Sequence, residues 1–249
     1  MIVLKTPAEI ELLRVANRAV AEVLKELESK IVPGITSLEL DELAEKLLRE
    51  KGCIPAFKGY RGYPKSICTS INEQVVHGIP SERKLKEGDI VSIDIGAKCK
   101  DFYGDMAATY PVGNISGNAQ RLLDVTKKSL YEGIAKAKVG NRLGDISSTI
   151  QRTVEGEGFS VVRFFVGHGI GRELHEMPQI PNFGIPGTGV RLKSGMVFAI
   201  EPMVNAGESD VEILEDGWTA IAKDKSLSAH FEHTIVILEK EPEILTKTN

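Results

Sequence analysis

No run of apolar residues in this 249-residue chain approaches the roughly 18 consecutive positions that a membrane-spanning helix needs. The opening segment, Met1-Ile-Val-Leu-Lys5, leads straight into a helical pattern. It has neither the basic start nor the long apolar stretch of an export signal, so the cytoplasm is the expected compartment. Cysteine is scarce. Cys53, Cys68 and Cys99 are an odd set without CxxC spacing and are expected as reduced thiols, not as a disulfide framework or a zinc ribbon. Positive charge is not in excess: the formal net charge is −4, which argues against nucleic acid as the main partner. Low-complexity tracts and linker-like stretches are absent. Several catalytic signatures are missing too. There is no GxSxG elbow for a serine hydrolase. His175-Glu-Met-Pro-Gln179 lacks the second histidine of HExxH, and Pro178 would break the helix that motif requires. Gly167-His-Gly-Ile-Gly171 has the wrong spacing for a dinucleotide loop. His230 and His233, if they share one strand, point to opposite faces and form no zinc pair.

What is present fits a globular α+β chain. Hydrophobic residues make up 42% and charged residues 27%, enough to build one large core or two closely packed halves. Thr6-Pro7-Ala8-Glu9 is a capping box with proline at the first helical position, and it predicts a helix over about 7–29. Thr36 to Glu39 repeats the capping box and opens a helix that stops before Gly52. Residues 53–80, rich in Gly, Pro and aromatics, read as short strands and loops, and 89–112 as a strand hairpin. Helices follow over about 116–138 and 144–156. Strands then run to the C-terminus, with Asp216-Gly217 as a hairpin turn.

Two stretches echo each other. Lys86-x-Gly88-x-Ile90-x-x-Ile93-Asp94 matches Lys193-x-Gly195-x-Val197-x-x-Ile200-Glu201 at an offset of 107 positions. Val32-Pro33-Gly34, a helix and Gly52 match Val139-Gly140, a helix and Gly158 at nearly the same offset. The pattern predicts one catalytic domain over 1–249 with pseudo-repeats over about 32–112 and 139–238, each contributing an acidic strand to a shared face.

Acidic residues in apolar strands are the strongest chemical signal. In Asp89-Ile-Val-Ser-Ile-Asp94-Ile-Gly96, alternation puts Val91, Ile93 and Ile95 on one face and Asp94 on the other. A turn near Cys99-Lys100 would set Asp94 directly opposite Asp105, and facing carboxylates repel unless a proton or cation lies between them. Glu201 and Glu232 sit in similar apolar strands, where an unpartnered carboxylate is costly. Any one such acid reads most simply as a strand-end ion pair; four together favour metal. His168 lies between Gly167 and Gly169, which let the backbone pack closely and leave the imidazole open. One neutral histidine and four carboxylates sum to −4, which two divalent cations neutralise. Oxygen ligands with one imidazole suit Mn, Fe, Co or Zn without choosing among them.

Val76-His-Gly-Ile-Pro80, Ser92-Ile-Asp-Ile-Gly96, Phe102-Tyr-Gly-Asp105, Gly167-His-Gly-Ile-Gly171, Leu174-His175-Glu176, Ile200-Glu-Pro-Met203 and Phe231-Glu-His-Thr-Ile235 occur in the order of the type I methionine aminopeptidases. The chain resembles that family over nearly its whole length. The resemblance implies the two-halved "pita-bread" fold around a dinuclear metal site. By motif it implies Asp94, Asp105, His168, Glu201 and Glu232 as ligands of two divalent ions, with Asp105 and Glu232 bridging them. His77 and His175 resemble the two non-ligand histidines at the substrate.

The implied reaction removes an N-terminal methionine by attack of metal-activated hydroxide on the first peptide carbonyl. Glu201 would shuttle the proton, His175 would donate to the oxyanion, and His77 would contact the leaving side. Tyr60, Tyr63, Cys68 and Trp218 match the methionine pocket. Phe57 and Leu174 depart from the bacterial pattern, standing where a cysteine and a phenylalanine are usual. The implied partners are peptide or nascent-chain N-termini with a small second residue, with the ribosome to be tested and the chain a monomer. X-Pro aminopeptidases and dipeptidases of the same fold carry an extra N-terminal domain, for which the stretch before Asp94 is too short. A non-catalytic binding module would be expected to lose ligand positions, all five of which are filled here. The absence of an N-terminal extension and of a long insert before Glu232 favours type I over type II.

Overall fold

A computed structural model describes residues 2–247. The first half opens with α1 (Pro7–Glu28) and α2 (Ser37–Glu50), each started by the capping box expected from sequence. Then come β1 (Ile54–Pro55), a short 3-10 turn at Tyr60–Gly62, β2 (Ile67–Ile71), β3 (Gln74–Val76), β4 (Ile90–Cys99) and β5 (Phe102–Pro111). The second half opens with α3 (Gly117–Ile134) and α4 (Leu143–Glu155), followed by β6 (Ser160–Val161), β7 (Gly167–Gly169) and β8 (Glu176–Ile180). It continues with β9 (Val197–Ile200), β10 (Met203–Asn205), β11 (Val211–Ile213) and β12 (Ala220–Ala222). The last strands are β13 (Ser228–His230), β14 (His233–Val236) and β15 (Glu243–Ile244).

In the first half β4 lies between β5 and the pair β1 and β2, all antiparallel. In the second, β15, β14, β9, β7 and β8 form a five-stranded sheet. Helix α1 packs on β4 and β5, and α3 on β13, β10 and β9. Alternation along β4 sends Val91, Ile93 and Ile95 into the main core beside Val20, Leu24 and Leu27 of α1. Asp94 is left on the opposite face, as the pattern predicts. The helix–sheet contact is close: a Cβ on Gly104 would lie 2.7 Å from the Ala16 carbonyl carbon, so glycine is required there.

The two halves use matching connections. Gly34 N–H donates to the Leu85 carbonyl (2.8 Å) and Gly140 N–H to that of Leu192 (3.2 Å). Leu85 N–H donates back to Ile35 and Leu192 N–H to Asn141, both at 2.8 Å. The bridges Thr36–Lys84 and Arg142–Arg191 occupy the same relative places.

Three expectations need correction. Cys53 and Cys99 are not free thiols: they are joined in a disulfide, and Cys68 alone is free. The cause is strand pairing. Ile54 pairs with Lys98 in the β1–β4 ladder, which brings Cys53 and Cys99 to a Cα separation of 4.7 Å. Odd cysteine number and absent CxxC spacing say nothing about such a long-range meeting. Second, the β4–β5 turn is centred on Lys100-Asp101, both in the left-handed region (φ 50° and 66°). Asp94 therefore pairs with Ala107 and Asp105 with Gly96, leaving the two acids diagonal on one face and not directly opposite. Third, α3 stops at Ile134, because tight turn bonds from Lys136 to Gly133 and Ala137 to Ile134 replace its last predicted turn.

Candidate metal centre and active-site cleft

The acidic face of β4 and β5 meets the five-stranded sheet along a seam of hydrogen bonds. Glu232 N–H donates to the Ala107 carbonyl (2.8 Å), and the Thr234 hydroxyl donates to the Asp105 carbonyl (2.8 Å). Behind the seam, buried Asn17 of α1 accepts from Asp105 N–H (3.3 Å) through its side-chain oxygen. Asn182 donates to the Glu201 carbonyl (3.0 Å). Each acid is thus fixed through its backbone, leaving its carboxylate to face the cleft.

Strand β7 carries His168, and its glycines explain how it fits. A Cβ on Gly167 would collide with the Ala199 carbonyl of β9, and one on Gly169 with the Met177 carbonyl of β8. The imidazole Nδ1 lies 2.9 Å from the Gly169 carbonyl, which assigns that nitrogen the proton and frees Nε2. Nε2 points at Glu201 (3.5 Å) and Asp105 (3.8 Å).

Asp105 and Glu232 are almost fully buried, and Asp94 and Glu201 are largely enclosed. Burial pushes the Asp94 carboxyl up to about 7, with the Glu201 charge adding to the effect. Burial holds Asp105, Glu201 and Glu232 well above the usual carboxylate range, and for Asp105 and Glu232 the neighbouring acids add to it. Oδ1 of Asp94, Oδ1 of Asp105 and Oε1 of Glu232 are buried without a hydrogen-bond partner. Concentrated oxygens with no donor are what a divalent cation satisfies, so this donor set fits metal. Ligand atoms of Asp105, His168 and Glu232 lie within 4.8 Å of one another, as do those of Glu201, His230 and Glu232.

Sequence reasoning weighs His230 only as a zinc partner of His233 and sets it aside; the structure brings it to the acidic floor. The strand is interrupted at Phe231 and Glu232, which puts His230 at the end of β13 and His233 at the start of β14, so the two never share a strand. His230 Nε2 approaches Glu201 Oε2 at 3.4 Å and has no hydrogen-bond partner. His233 turns away to Tyr131 (3.0 Å) and Thr246 (2.8 Å). A break between two short strands leaves no periodicity signal, so the His230-x-x-His233 spacing could not show that His230 faces the acids and His233 does not.

One cleft of about 160 Å³ is lined by all eight residues expected to hold substrate: Phe57, Tyr60, Tyr63, Cys68, His77, Leu174, His175 and Trp218. Asp94, Asp105, His168, Glu201 and Glu232 face the same cleft. Phe57 reaches it because Gly96 has no side chain; a Cβ there would sit 2.6 Å from the Phe57 ring. Cys68 pairs with Asp94 across β2 and β4. Tyr63 stands edge-on to Trp218 (5.1 Å), with its hydroxyl donating to the Ile67 and Gly78 carbonyls. His77 holds a left-handed backbone (φ 60°) between the rings of Phe165 and Trp218. Such strain in a non-glycine residue is characteristic of functional positions. Burial lowers His77 to about 4. His175 stacks on Tyr60, with Nδ1 2.9 Å from the phenol, and lies 4.3 Å from the His168 ring. Burial and then the Arg61 charge lower its pKa. Arg61, also on the cleft wall, was not expected from sequence.

An acid-and-histidine floor under an apolar wall, set between two α+β halves, defines a metal-dependent hydrolase acting on a small apolar group. Residues 11–239 match the Metallopeptidase family M24. Methionine aminopeptidase 1 of Bacillus subtilis is 56% identical over 99% of this chain and 100% of its own length. The methionine aminopeptidase of Clostridium perfringens is 54% identical over 99% of both. The crystal structure of methionine aminopeptidase from Thermotoga maritima superposes with a TM-score of 0.98, at 53% identity and full coverage of both chains. The prolidase of Pyrococcus furiosus, at 24% identity and TM-score 0.82 over 66% of its length, shares the fold. The chain belongs to metallopeptidase family M24, among its methionine aminopeptidases, and has that family's pita-bread fold.

Proposed function

We propose that this enzyme removes the N-terminal methionine from peptides and nascent chains, preferring a small second residue, with two divalent ions held by Asp94, Asp105, His168, Glu201 and Glu232. The observation that carries this reading is the meeting of partnerless carboxylate oxygens and an apolar wall in one cleft. The ions, whether Co, Mn, Fe or Zn, would supply Lewis acidity towards water and the peptide carbonyl. The residues do the rest. Phe57, Tyr63, Cys68, Leu174 and Trp218 enclose the thioether side chain and exclude water from it. Glu201, in an environment that raises its proton affinity, takes and returns the proton at its carboxylate. The Tyr60 hydroxyl lies 2.9 Å from Nδ1 and can donate to it, and that tautomer of His175 carries its proton on Nε2, ready to donate to the developing oxyanion. His77, held neutral, contacts the backbone of the leaving side. Its fixed position between Phe165 and Trp218 limits the second residue to small side chains.

We read the chain as one catalytic unit of two related halves; the matching Gly34–Leu85 and Gly140–Leu192 connections support that reading. The test is turnover by metal-replete protein on Met-Gly-Met against X-Pro peptides, with metal counted after gentle purification. Release of methionine with two ions per chain is expected. Preference for X-Pro, or folded active protein free of metal, would overturn the assignment.

A further inference from the structure

The segment ahead of α1 contains a buried cation that the reaction above does not use. Lys5 is 6% exposed and its ammonium lies 2.5 Å from Glu176 Oε2. Its backbone is fixed as well, with N–H donating to the Gly195 carbonyl (2.7 Å). Glu176 opens β8 directly after His175. Its second oxygen, Oε1, accepts from Arg172 N–H (2.9 Å) and Glu173 N–H (3.4 Å). Residues 171–175 join β7 to β8 without regular structure, so this carboxylate stands in for the ladder bonds that the loop lacks. A Cβ on Gly171 would collide with both the Lys5 ammonium and the Glu176 carboxylate, so the loop wraps directly over the pair. The same loop supplies Leu174 and His175 to the cleft. Glu9, from the capping box of α1, reaches Arg172 from the same side (3.3 Å).

A buried ion pair adds little stability over an apolar pair of the same volume. What it does supply is a fixed position for both partners. We propose that Lys5 is a positioning residue for the aminopeptidase reaction: through Glu176 it holds the 171–175 loop, and hence the His175 imidazole, in register with the cleft floor. The inference rests on the role given to His175 above. Lys5 is not among the residues that line the cleft. Its effect belongs to the transition state, where a displacement of about 1 Å can cost up to about a hundredfold in rate.

The experiment compares Lys5→Met, Glu176→Gln, His175→Ala and the double variant Lys5→Met/His175→Ala as metal-loaded enzymes on one methionyl peptide. Lys5→Met keeps the apolar stem and removes the charge. Glu176→Gln keeps an acceptor for the loop amides but sets an amide N–H against the ammonium. Each is expected to lower kcat about tenfold or more, with KM moving less than about threefold and metal content unchanged. The double variant should be no slower than His175→Ala alone, because the lysine acts only through that imidazole. Should Lys5→Met fail to fold, Glu176→Gln carries the same comparison with His175→Ala. Near wild-type kcat in the single variants, or losses that multiply with His175→Ala, would overturn the positioning role. If wild-type enzyme releases no methionine, the functional assignment fails first, and the two failures are distinguished.

Discussion

Glu201 offers the sharpest separation of position from chemistry. Its carbonyl is held by Asn182, so Glu201→Gln changes the carboxylate without loosening the backbone. The variant is expected to keep its fold and lose at least about a hundredfold in kcat, read by steady-state kinetics on protein of verified metal content. Turnover near the wild-type level would remove Glu201 as proton shuttle. His175→Ala should lower kcat by about a hundredfold while KM changes little; an effect confined to KM would reassign it to substrate binding. At this scale the sequence was highly legible. Asp94, Asp105, Glu201 and Glu232 stood out because a carboxylate in an apolar strand is costly without a partner, and His168 because of its flanking glycines. Arg61 escaped notice, and His230 was weighed only as a pair with His233 and set aside. Each sits where the chain changes direction, in a left-handed turn residue and at a strand end, and such places carry no pattern.

Among the elements, β7 is the least tolerant of change. Gly167→Ala would force the strand away from the Ala199 carbonyl, and His168 with it. A destabilisation of about 1–3 kcal/mol is expected, measured by chemical denaturation, together with weaker metal binding. Unchanged stability would mean that the β7–β9 contact relaxes freely. The Cys53–Cys99 bridge ties β1 to the end of β4, and reductant should lower stability by roughly 2–4 kcal/mol while denatured, unreduced protein shows one reactive thiol, Cys68. Three reactive thiols would return all three cysteines to the reduced state first expected of them. Helix starts were readable because capping boxes are local chemistry, as at Thr6 and Thr36. The β4–β5 register was not, because it depends on which two residues accept positive φ, and Lys100 and Asp101 are ordinary surface residues that give no such sign.

Across the whole molecule, electrostatics dominates. In metal-free protein the Asp94 carboxyl titrates near 7, and Asp105, Glu201 and Glu232 are held above their ordinary values; unfolded, all four titrate at about 4. The folded state therefore binds more protons between these limits. Its stability from this source is complete below the unfolded values and is lost as pH rises through the folded ones. Below about pH 6.5 the buried histidines oppose this trend, because burial lowers their pKa values and they take up protons on unfolding. Above it the acids act alone, so the Tm of chelator-treated protein should fall from about pH 7 to about pH 9, while added divalent ion restores it by an amount that grows with pH. Ion binding near neutrality should also release protons, detectable in weakly buffered solution. A metal-free Tm that stays flat over this range would mean the acids are not crowded. The two-halved arrangement was visible as the offset between Asp94 and Glu201; the seam that joins the halves was not, since Glu232–Ala107 and Thr234–Asp105 link residues more than a hundred positions apart.

That seam has a mechanical side. Asp94 and Asp105 come from one half of the chain and His168, Glu201 and Glu232 from the other, so an ion seated among them would rivet two halves that already share one continuous apolar core. Its departure would slacken the joint on the cleft side alone, while the shared core keeps the two halves closed behind it.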